Sequence, residues 1–235
     1  MTPEPLGWVA PTDFTHQRTY ALERFGTPGR PTPVVIGIPW YTNFDTPVRD
    51  RDGNYYIGLG GLGDLRGGHC VCLRPPTLRD PTGAWQHYDQ GREGACVGHG
   101  TSRAATLFNA RLYDAFPLYK AAQQIDPFPG DQYSGTTVNA GLSVLRNQGP
   151  WRLKYNTSTP TLRDGILAYA WASSIQEVMN TLHSQEEYVR ILNSWGTRYP
   201  AEVRMPVTVL HMLLSRGGEA GVPIDRIGKS ATERR

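Results

Sequence analysis

The sequence lacks both a long apolar run and a basic start followed by an apolar stretch. A bilayer-spanning helix needs about 20 mostly apolar residues, and a secretory signal needs the second pattern. The first 18 residues, MTPEPLGWVAPTDFTHQR, fit neither description. We therefore expect a soluble, cytoplasmic protein with no signal peptide and no membrane partner. The cytoplasm of an infected host cell would fit equally well if a phage encodes the chain.

Cysteine is scarce and odd in number: the chain of 235 residues has three, Cys70, Cys72 and Cys96. Two of them alternate along one apolar stretch, and neighbours two apart on a strand do not normally bridge each other. The sequence therefore predicts no disulfide framework, as in a reducing compartment. His69, Cys70 and Cys72 also lack the spaced second pair of ligands of a structural zinc site, so we expect no metal.

The chain also carries only a small excess of positive over negative residues. The formal net charge is +3, and basic and acidic residues are interleaved except in the last stretch, RIGKSATERR. A nucleic-acid-binding surface would concentrate basic residues on one face, so we expect no nucleic-acid partner. The glycine-rich GLGGLGDLRGG lacks the Lys-Ser/Thr ending and the following helix of a phosphate-binding loop. The sequence therefore predicts no cofactor.

Apolar patterning predicts an α+β domain. Strands are predicted in TPVVIGIPWY, HCVCL and YVRILNSWG, where β-branched and other apolar residues cluster. A helix is predicted from Cys96 to about residue 113, and a second follows YSGTT and stops at Gly149. A third is predicted in LRDGILAYAWASSIQEVMNTLHS, either continuous or broken near Ser173. VTVLHMLLS fits a strand or a helix.

The chain divides into an arm, one domain and a tail. Residues 1–33 are rich in Pro, Thr and Arg without a sustained period, which is typical of an extended arm laid over a core. The domain spans residues 34–220, and residues 221–235 form a C-terminal tail. The domain has three blocks: 34–85 with His69, 86–188 with Cys96, and 189–220 with Asn193.

Cys96 stands where a thiol can act as a nucleophile. The N-terminus of a helix lowers a thiol pKa through its unpaired N–H groups and its dipole. Gln90 lies six residues earlier, across a glycine-containing loop in DQGREGACVGHG. Its side-chain amide and the N–H of Cys96 are candidate donors to the oxyanion that forms when a thiolate adds to a carbonyl. The alternative is that Cys96 is a small buried hydrophobic residue.

A histidine and an asparagine elsewhere complete the pattern. His69 follows two glycines at the head of a strand in RGGHCV, and Asn193 ends a strand in ILNSWG. An asparagine carbonyl that accepts the far N–H of a histidine holds the ring in one tautomer, and Trp195 would shield that bond from water. His99, one turn after Cys96, is a competing base, but its side chain should point back along the helix. We therefore prefer His69.

Together these motifs resemble the papain family of cysteine peptidases. PVVIGIPWYTNF, DQYSGTTVNAGLSVLRNQG and LGWVAPTDFTHQRTY are also similar to segments of its bacterial and phage members. The resemblance implies a papain-like fold, with a cleft between a helical lobe and a lobe built on an antiparallel sheet. It implies Cys96 as nucleophile, His69 as general acid and base, Asn193 as orienting residue and Gln90 as oxyanion donor.

The implied reaction is hydrolysis of a peptide bond in a peptide or protein substrate. Ser134 and Gly135 lie in DQYSGTT, a candidate wall of the cleft. We expect both to contact the main chain of an extended peptide that pairs like an added strand. An ordinary turn before a helix is the alternative. Trp195 completes the predicted substrate-binding set.

The order of the motifs departs from that of the family. There the cysteine comes first, then the histidine and then the asparagine, whereas here His69 precedes Cys96 and Asn193 comes last. A fold fixes catalytic geometry in space and not in chain order, so a permuted connection can rebuild the triad. Two alternatives stay open: an inactive relative that serves as a binding or structural protein of a particle, and a thiol amidase or transamidase.

Overall fold

The computed structural model describes residues 31–79, 88–128, 134–153 and 159–225. Almost all of the predicted arm and residues 226–235 lie outside these ranges. The strands are β1 (Val34–Tyr41), β2 (Val48–Arg49), β3 (Tyr55–Tyr56), β4 (Leu65–Arg74), β5 (Tyr113–Asp114), β6 (Trp151–Arg152), β7 (Ile166–Trp171), β8 (Tyr188–Leu192), β9 (Val203–Pro206) and β10 (Glu219–Asp225). The α-helices are α1 (Cys96–Asn109), α2 (Ala115–Gln123), α3 (Val138–Asn147), α4 (Ile175–Leu182) and α5 (Val207–Ser215).

Eight strands form one sheet in the order β2-β3-β9-β8-β4-β1-β10-β7, and β5 pairs with β6 separately. The β3–β9 pair is parallel, and the other pairs of the large sheet are antiparallel. A mixed sheet covered by helices confirms the predicted α+β class. β4 lies between β1 and β8, so the strand of His69 is next to the strand that leads to Asn193.

The sheet separates two hydrophobic cores. Because side chains alternate along a strand, β1 sends Val34, Ile36 and Ile38 to one face and Val35 to the other. The first core contains buried residues of α4 and α5, and the second contains buried residues of α1, α2 and α3. The structure therefore places helices on both faces of the sheet, where the sequence predicted one helical lobe beside a sheet lobe.

Helix α1 begins at Cys96, as predicted, but ends at Asn109, before the predicted limit near residue 113. Ala110 has a φ of 51°, a left-handed conformation that ends the helix. Helix α3 forms where a helix was predicted after YSGTT, with Thr137 as its N-cap. No helix within the described ranges is both long and apolar enough to cross a membrane.

Two predictions differ from the structure. The third predicted helix is wrong over its first half, because residues Ile166–Trp171 form β7 and only Ile175–Leu182 form α4. The domain boundary predicted at residue 220 falls inside β10, which pairs with β1 on one side and with β7 on the other. The predicted tail therefore contributes a strand to the sheet as far as Asp225. VTVLHMLLS, which fitted either element, forms α5.

Candidate active site

His69 and Asn193 are joined by a hydrogen bond. The distance from His69 Nε2 to Asn193 Oδ1 is 2.8 Å, and both side chains are buried. Asn193 Oδ1 also accepts from the backbone N–H of Ser194 at 2.7 Å. Because Asn193 Oδ1 accepts from Ser194, it is the side-chain oxygen and also acts as a hydrogen-bond acceptor toward the ring of His69. Nε2 of His69 therefore carries the proton, which fixes the tautomer.

Two tryptophans enclose the ring of His69. Trp195 stacks on it, with centroids 5.2 Å apart and planes inclined by 28°. Trp40, on the neighbouring strand β1, meets it edge-on at 4.7 Å. Trp40 is itself held by a hydrogen bond of 2.9 Å from its Nε1 to Asp45 Oδ1. Both indoles exclude water from the bond between His69 and Asn193, the shielding that was predicted for Trp195 alone.

Cys96 is the first residue of α1, and its thiol faces β4. The backbone N–H of Cys70, the residue after His69, lies within hydrogen-bonding reach of this thiol. One turn further along α1, Gly100 packs on Cys70: a Cβ at Gly100 would lie 3.0 Å from Cys70 Sγ. The absence of a side chain at Gly100 thus lets the cysteine helix approach the histidine strand.

Burial controls the ionisation of Cys96 in this conformation. Cys96 and His69 are both 0% exposed. Desolvation raises the pKa of the Cys96 thiol to about 12, although the N–H groups of Cys70, Val97 and Cys96 itself favour the thiolate. The N-terminal N–H groups of the helix therefore act in the predicted direction, but burial outweighs them. With this pKa, the thiol is protonated at neutral pH.

Gln90 is fixed by the turn that contains Asn193. Its Oε1 accepts from Ser194 Oγ at 2.7 Å, and its backbone N–H donates to Ser194 O at 2.9 Å. Its Nε2 donates to Glu93 O at 2.9 Å, within the loop that leads to Cys96. An amide nitrogen has two hydrogens, so this bond leaves one for another acceptor.

Backbone conformation and crowding explain why a glycine ends the NSWG motif. Gly196 has a φ of +57°, and a Cβ there would lie 2.6 Å from Asp89 Oδ2. Its N–H donates to Tyr88 O at 3.0 Å, and Asp89 forms a β-bridge with Trp195. The segment before Gln90 therefore pairs directly with the segment after Asn193, and a side chain at Gly196 would separate them.

The structure places Ser134 and Gly135 beside the cysteine helix. The exposed Ser134 accepts from the backbone N–H of Gly94, two residues before Cys96, at 3.2 Å. Gly135 is buried, its N–H donates to Tyr119 Oη at 3.2 Å, and its carbonyl accepts from Gln123 Nε2 at 3.3 Å. Both main-chain groups of Gly135 are thus bonded within the protein, and the pairing of Ser134 and Gly135 with an added peptide stays a prediction.

His99 belongs to the packing of α1. Its Nδ1 lies 3.0 Å from Ala95 O, and its ring meets Phe116 edge-on at 5.0 Å. Burial lowers the pKa of His99 to about 4, so the ring is neutral at pH 7. This environment explains why a histidine one turn after Cys96 is not positioned as the competing base considered from the sequence.

None of the three cysteines forms a disulfide, and all three are buried. Within the four described ranges, no group of three or more His, Cys, Asp or Glu residues could hold a metal ion.

Sequence reasoning missed three residues around the predicted triad. Trp40 faces His69 from β1, Ser194 bonds Gln90, and Arg103 of α1 donates from Nη2 to Asn193 O at 2.8 Å. A signal existed for Arg103, because it follows Cys96 by seven residues and so lies on the same face of the helix. Trp40 offered only its position at the end of an apolar strand.

A scan against protein-family models, a search of curated proteins and a search of solved structures found no match for this chain.

Proposed function

We propose that this protein is a papain-like cysteine peptidase with a permuted chain. The observation that carries the proposal is the buried hydrogen bond of 2.8 Å between His69 Nε2 and Asn193 Oδ1, stacked against Trp195. A histidine held in this way by an amide oxygen is the orienting half of a Cys-His-Asn triad. The thiol of Cys96 lies against the backbone of the residue that follows this histidine.

The proposed reaction assigns one role to each group. With Nε2 of His69 bonded to Asn193, Nδ1 is the nitrogen that exchanges a proton with the thiol. The Cys96 thiolate adds to the substrate carbonyl, and the Gln90 amide with the Cys96 N–H stabilises the oxyanion. His69 then protonates the leaving amine, the C–N bond breaks, and water hydrolyses the acyl-enzyme thioester to release the acid and restore the thiol.

The ends of the displaced block support the permutation. The backbone N–H of Thr32, just before β1, donates to Thr181 O near the end of α4 at 2.9 Å. Arg74, the last residue of β4, pairs with Arg190 of β8. Both ends of the block that carries His69 therefore lie beside the connection from α4 to β8. Insertion of the block at that connection would give the motif order of the papain family.

The burial of Cys96 means that the proposed function requires a conformational step. A peptide carbonyl cannot reach a thiol that is 0% exposed, so the proposed catalysis requires an opening that admits substrate and hydrates Cys96. The same burial favours a second candidate, an inactive papain-like protein with a binding or structural role. The two candidates differ in one measurable property, the degree to which His69 accelerates the reaction of Cys96 with an electrophile.

The test is labelling with an irreversible peptidyl epoxide, followed by mass spectrometry to locate the modified residue. Wild type, His69→Ala and Asn193→Ala are compared at pH 6–8. We expect modification at Cys96 alone, with the rate constant lowered at least about a hundredfold in His69→Ala, the lower end of the usual range for removing a general base. A smaller fall is expected for Asn193→Ala, because the base remains but loses its orientation.

Cys70 and Cys72 are internal controls, since both are buried and burial also raises the pKa of each thiol. Iodoacetamide, which is smaller than a peptidyl epoxide, measures access to the same thiol. If Cys96 reacts no faster than Cys70 and Cys72 with either reagent, or if His69→Ala leaves its rate unchanged, the peptidase proposal is refuted. The inactive binding or structural protein is then the better description.

A further inference from the structure

Arg103 connects the cysteine helix with the asparagine of the candidate triad. It lies in α1, seven residues after Cys96, and is only 2% exposed. Its Nη2 donates to the backbone carbonyl of Asn193 at 2.8 Å. Its guanidinium also lies over the ring of Tyr88, with Cζ 4.7 Å from the ring centroid. A long cationic side chain is thus buried between the helix and the turn after β8.

The position of Arg103 on α1 follows from helix geometry. Seven residues correspond to almost two turns, so Arg103 and Cys96 project from the same face. One rigid helix therefore carries the candidate nucleophile at its start and a donor to Asn193 two turns later. The distance between the two functions is set by the helix and not by a loop.

The contact of Arg103 restricts the residue that orients His69. A hydrogen bond from a charged donor is stronger than one between neutral groups, and the face of Tyr88 favours the buried cation. Tyr88 also accepts from Gly196 N–H, three residues after Asn193, through its backbone carbonyl. The turn that contains Asn193 is therefore bonded at two points, Asn193 O and Gly196 N–H, while Asn193 Oδ1 accepts from His69.

We infer that Arg103 is a positioning residue for the His69–Asn193 pair. It fixes the Asn193 backbone relative to α1, and with it the Oδ1 that accepts from His69 Nε2. This role rests on the proposed function for its catalytic meaning, because positioning matters to a reaction only if Cys96 is a nucleophile. The geometric part, the dependence of the His69–Asn193 bond on Arg103, is measurable without any substrate.

The experiment compares Arg103→Met, which keeps length without donors, with Arg103→Lys, which keeps a charged donor. Asn109→Ala is the matched control, because Asn109 also lies on α1 and donates a side-chain N–H to a backbone carbonyl, that of Asp164, at 2.8 Å. Histidine labelled with ¹⁵N reports the Nε2-bound proton of His69 by NMR, and its signal is assigned by its loss in His69→Gln. The rate constant for iodoacetamide at Cys96 is measured on the same samples.

In the wild type we expect a His69 Nε2–H signal that exchanges slowly with water. In Arg103→Met we expect the signal to be lost, or to exchange at least about tenfold faster, with a similar fall in the Cys96 rate constant, since small displacements of catalytic groups cost tenfold or more. Arg103→Lys should give values between those of Arg103→Met and the wild type, and measurably below the wild type, because a lysine keeps a charged donor but not the planar guanidinium. Asn109→Ala should leave both unchanged even if it lowers the melting temperature as much as Arg103→Met does.

A folded Arg103→Met protein with an unchanged signal and an unchanged Cys96 rate would overturn the inference and leave Arg103 with a packing role. If Arg103→Met does not fold, the comparison of Arg103→Lys with Asn109→Ala decides: equal signals in a folded pair also overturn it, because a lysine cannot reproduce the planar guanidinium contact fully. If wild-type Cys96 reacts no faster than Cys70 and Cys72, the peptidase proposal fails. The NMR comparison then still tests the positioning role.

Discussion

At the scale of single residues, burial decides which charged forms exist. Cys96 has N–H donors at the start of α1 that favour a thiolate, yet desolvation raises its pKa to about 12. His99, on the same helix, is kept neutral by the same effect. The helix dipole alone therefore does not make Cys96 reactive. Under the proposed function, its reactivity would require the imidazole of His69 and an opening that admits water.

Asp164 shows the opposite balance, because its partners outweigh burial. Desolvation acts to raise the pKa of Asp164, but hydrogen bonds from Arg152 and Tyr113 and the charges of Arg152 and Arg111 hold it below its ordinary value of 3.8. Arg152 Nε and Tyr113 Oη donate to Asp164 Oδ2 at 2.9 and 3.0 Å. The Asp164 carboxylate thus connects β5, through Tyr113, with β6, through Arg152, and it also pairs with Arg111 just after α1.

When folding lowers the pKa of a carboxyl group, the group stabilises the folded protein at pH values above its ordinary pKa. This stabilisation is lost as the pH falls through the pKa of the folded state. We therefore expect Asp164→Asn to reduce the free energy of unfolding at pH 7 by about 1–2 kcal/mol, less than a fully buried pair, because Arg152 is partly exposed. Chemical denaturation between pH 7 and pH 2.5 measures this. The difference from wild type should shrink below the ordinary value of 3.8.

Tyr113→Phe serves as the partner variant for a double-mutant cycle. It removes one donor to Asp164 but leaves the arginines, so its effect should be smaller in the Asp164→Asn background. A difference between Asp164→Asn and wild type that stays constant from pH 7 to pH 2.5 would contradict the assigned role of the carboxylate.

At the scale of elements, glycines set how closely α1 approaches its neighbours. Gly98, two residues after Cys96, packs on the start of α2: a Cβ there would lie 2.6 Å from Ala115 O and 2.9 Å from Tyr119 N. These are backbone atoms, which cannot rotate away as a side chain can. The site geometry therefore depends on a helix pair that tolerates no added atom at this position.

We expect Gly98→Ala to lower the free energy of unfolding by about 1–3 kcal/mol, the usual cost of overpacking, despite the better helix propensity of alanine. Gly60→Ala is the control, because nothing lies within 4 Å of a Cβ at Gly60. It should change the stability by less than about 0.5 kcal/mol, as for most surface substitutions. Urea titrations of both variants measure this, and equal stabilities would contradict the close contact between α1 and α2.

The sequence predicted the elements whose signals are local. β1 is a β-branched run, α1 follows a glycine-containing loop and has apolar residues at helical spacing in its second half, and α3 has a Thr cap. β7 was predicted as helix because ILAYAW has no strict alternation, and its state depends on pairing with β10, more than 45 residues later. α2 was missed because Pro117 stands in its first turn, where proline is in fact tolerated.

The strand β10 was hidden by composition. Its sequence EAGVPID contains Gly221 and Pro223, and proline within a run argues against a central strand. β1 pairs with β10 only as far as Gly221, so the missing N–H of Pro223 does not interrupt that ladder. The pair of His69 with Asn193 was predictable from motifs, whereas Trp40 and Arg103 required the sheet order and the contact between α1 and the turn after β8.

At the scale of the whole molecule, the order of the strands in the sheet differs from their order along the chain. β4 and β8 are neighbours although the chain between them forms α1 to α4, β5 to β7 and their connections. The sheet brings His69 and Asn193 together by register, and the second core brings α1 against β4. Long loops cost little extra entropy as they lengthen, so the intervening segment does not prevent this pairing.

A rearranged chain tests whether the block that carries His69 can be moved without loss of the fold. The rearranged chain moves residues 32–79, which contain the described strands of this block, and joins residues 1–31, 80–183, 32–79 and 184–235 in that order. A flexible Gly-Ser linker connects residue 31 to residue 80. Thr32 already bonds to Thr181, so the new junction at residue 183 needs almost no movement. Arg74 already pairs with Arg190, so residues 75–79 and 184–189 can close as a hairpin connection. The contacts of β1, β4, β8 and α1 would all be kept.

We therefore expect the rearranged protein to unfold in one cooperative transition and to keep the slowly exchanging Nε2–H signal of His69. Its loss in an Asn193→Ala version of the rearranged chain is the control that the same hydrogen bond is being observed. Circular dichroism and the NMR signal of ¹⁵N-labelled histidine measure the two properties. A rearranged chain that folds but lacks the signal would mean that the natural order is needed to align His69 with Asn193. Retention of the signal would mean that the pair depends on sheet register, so that either chain order can build the candidate triad.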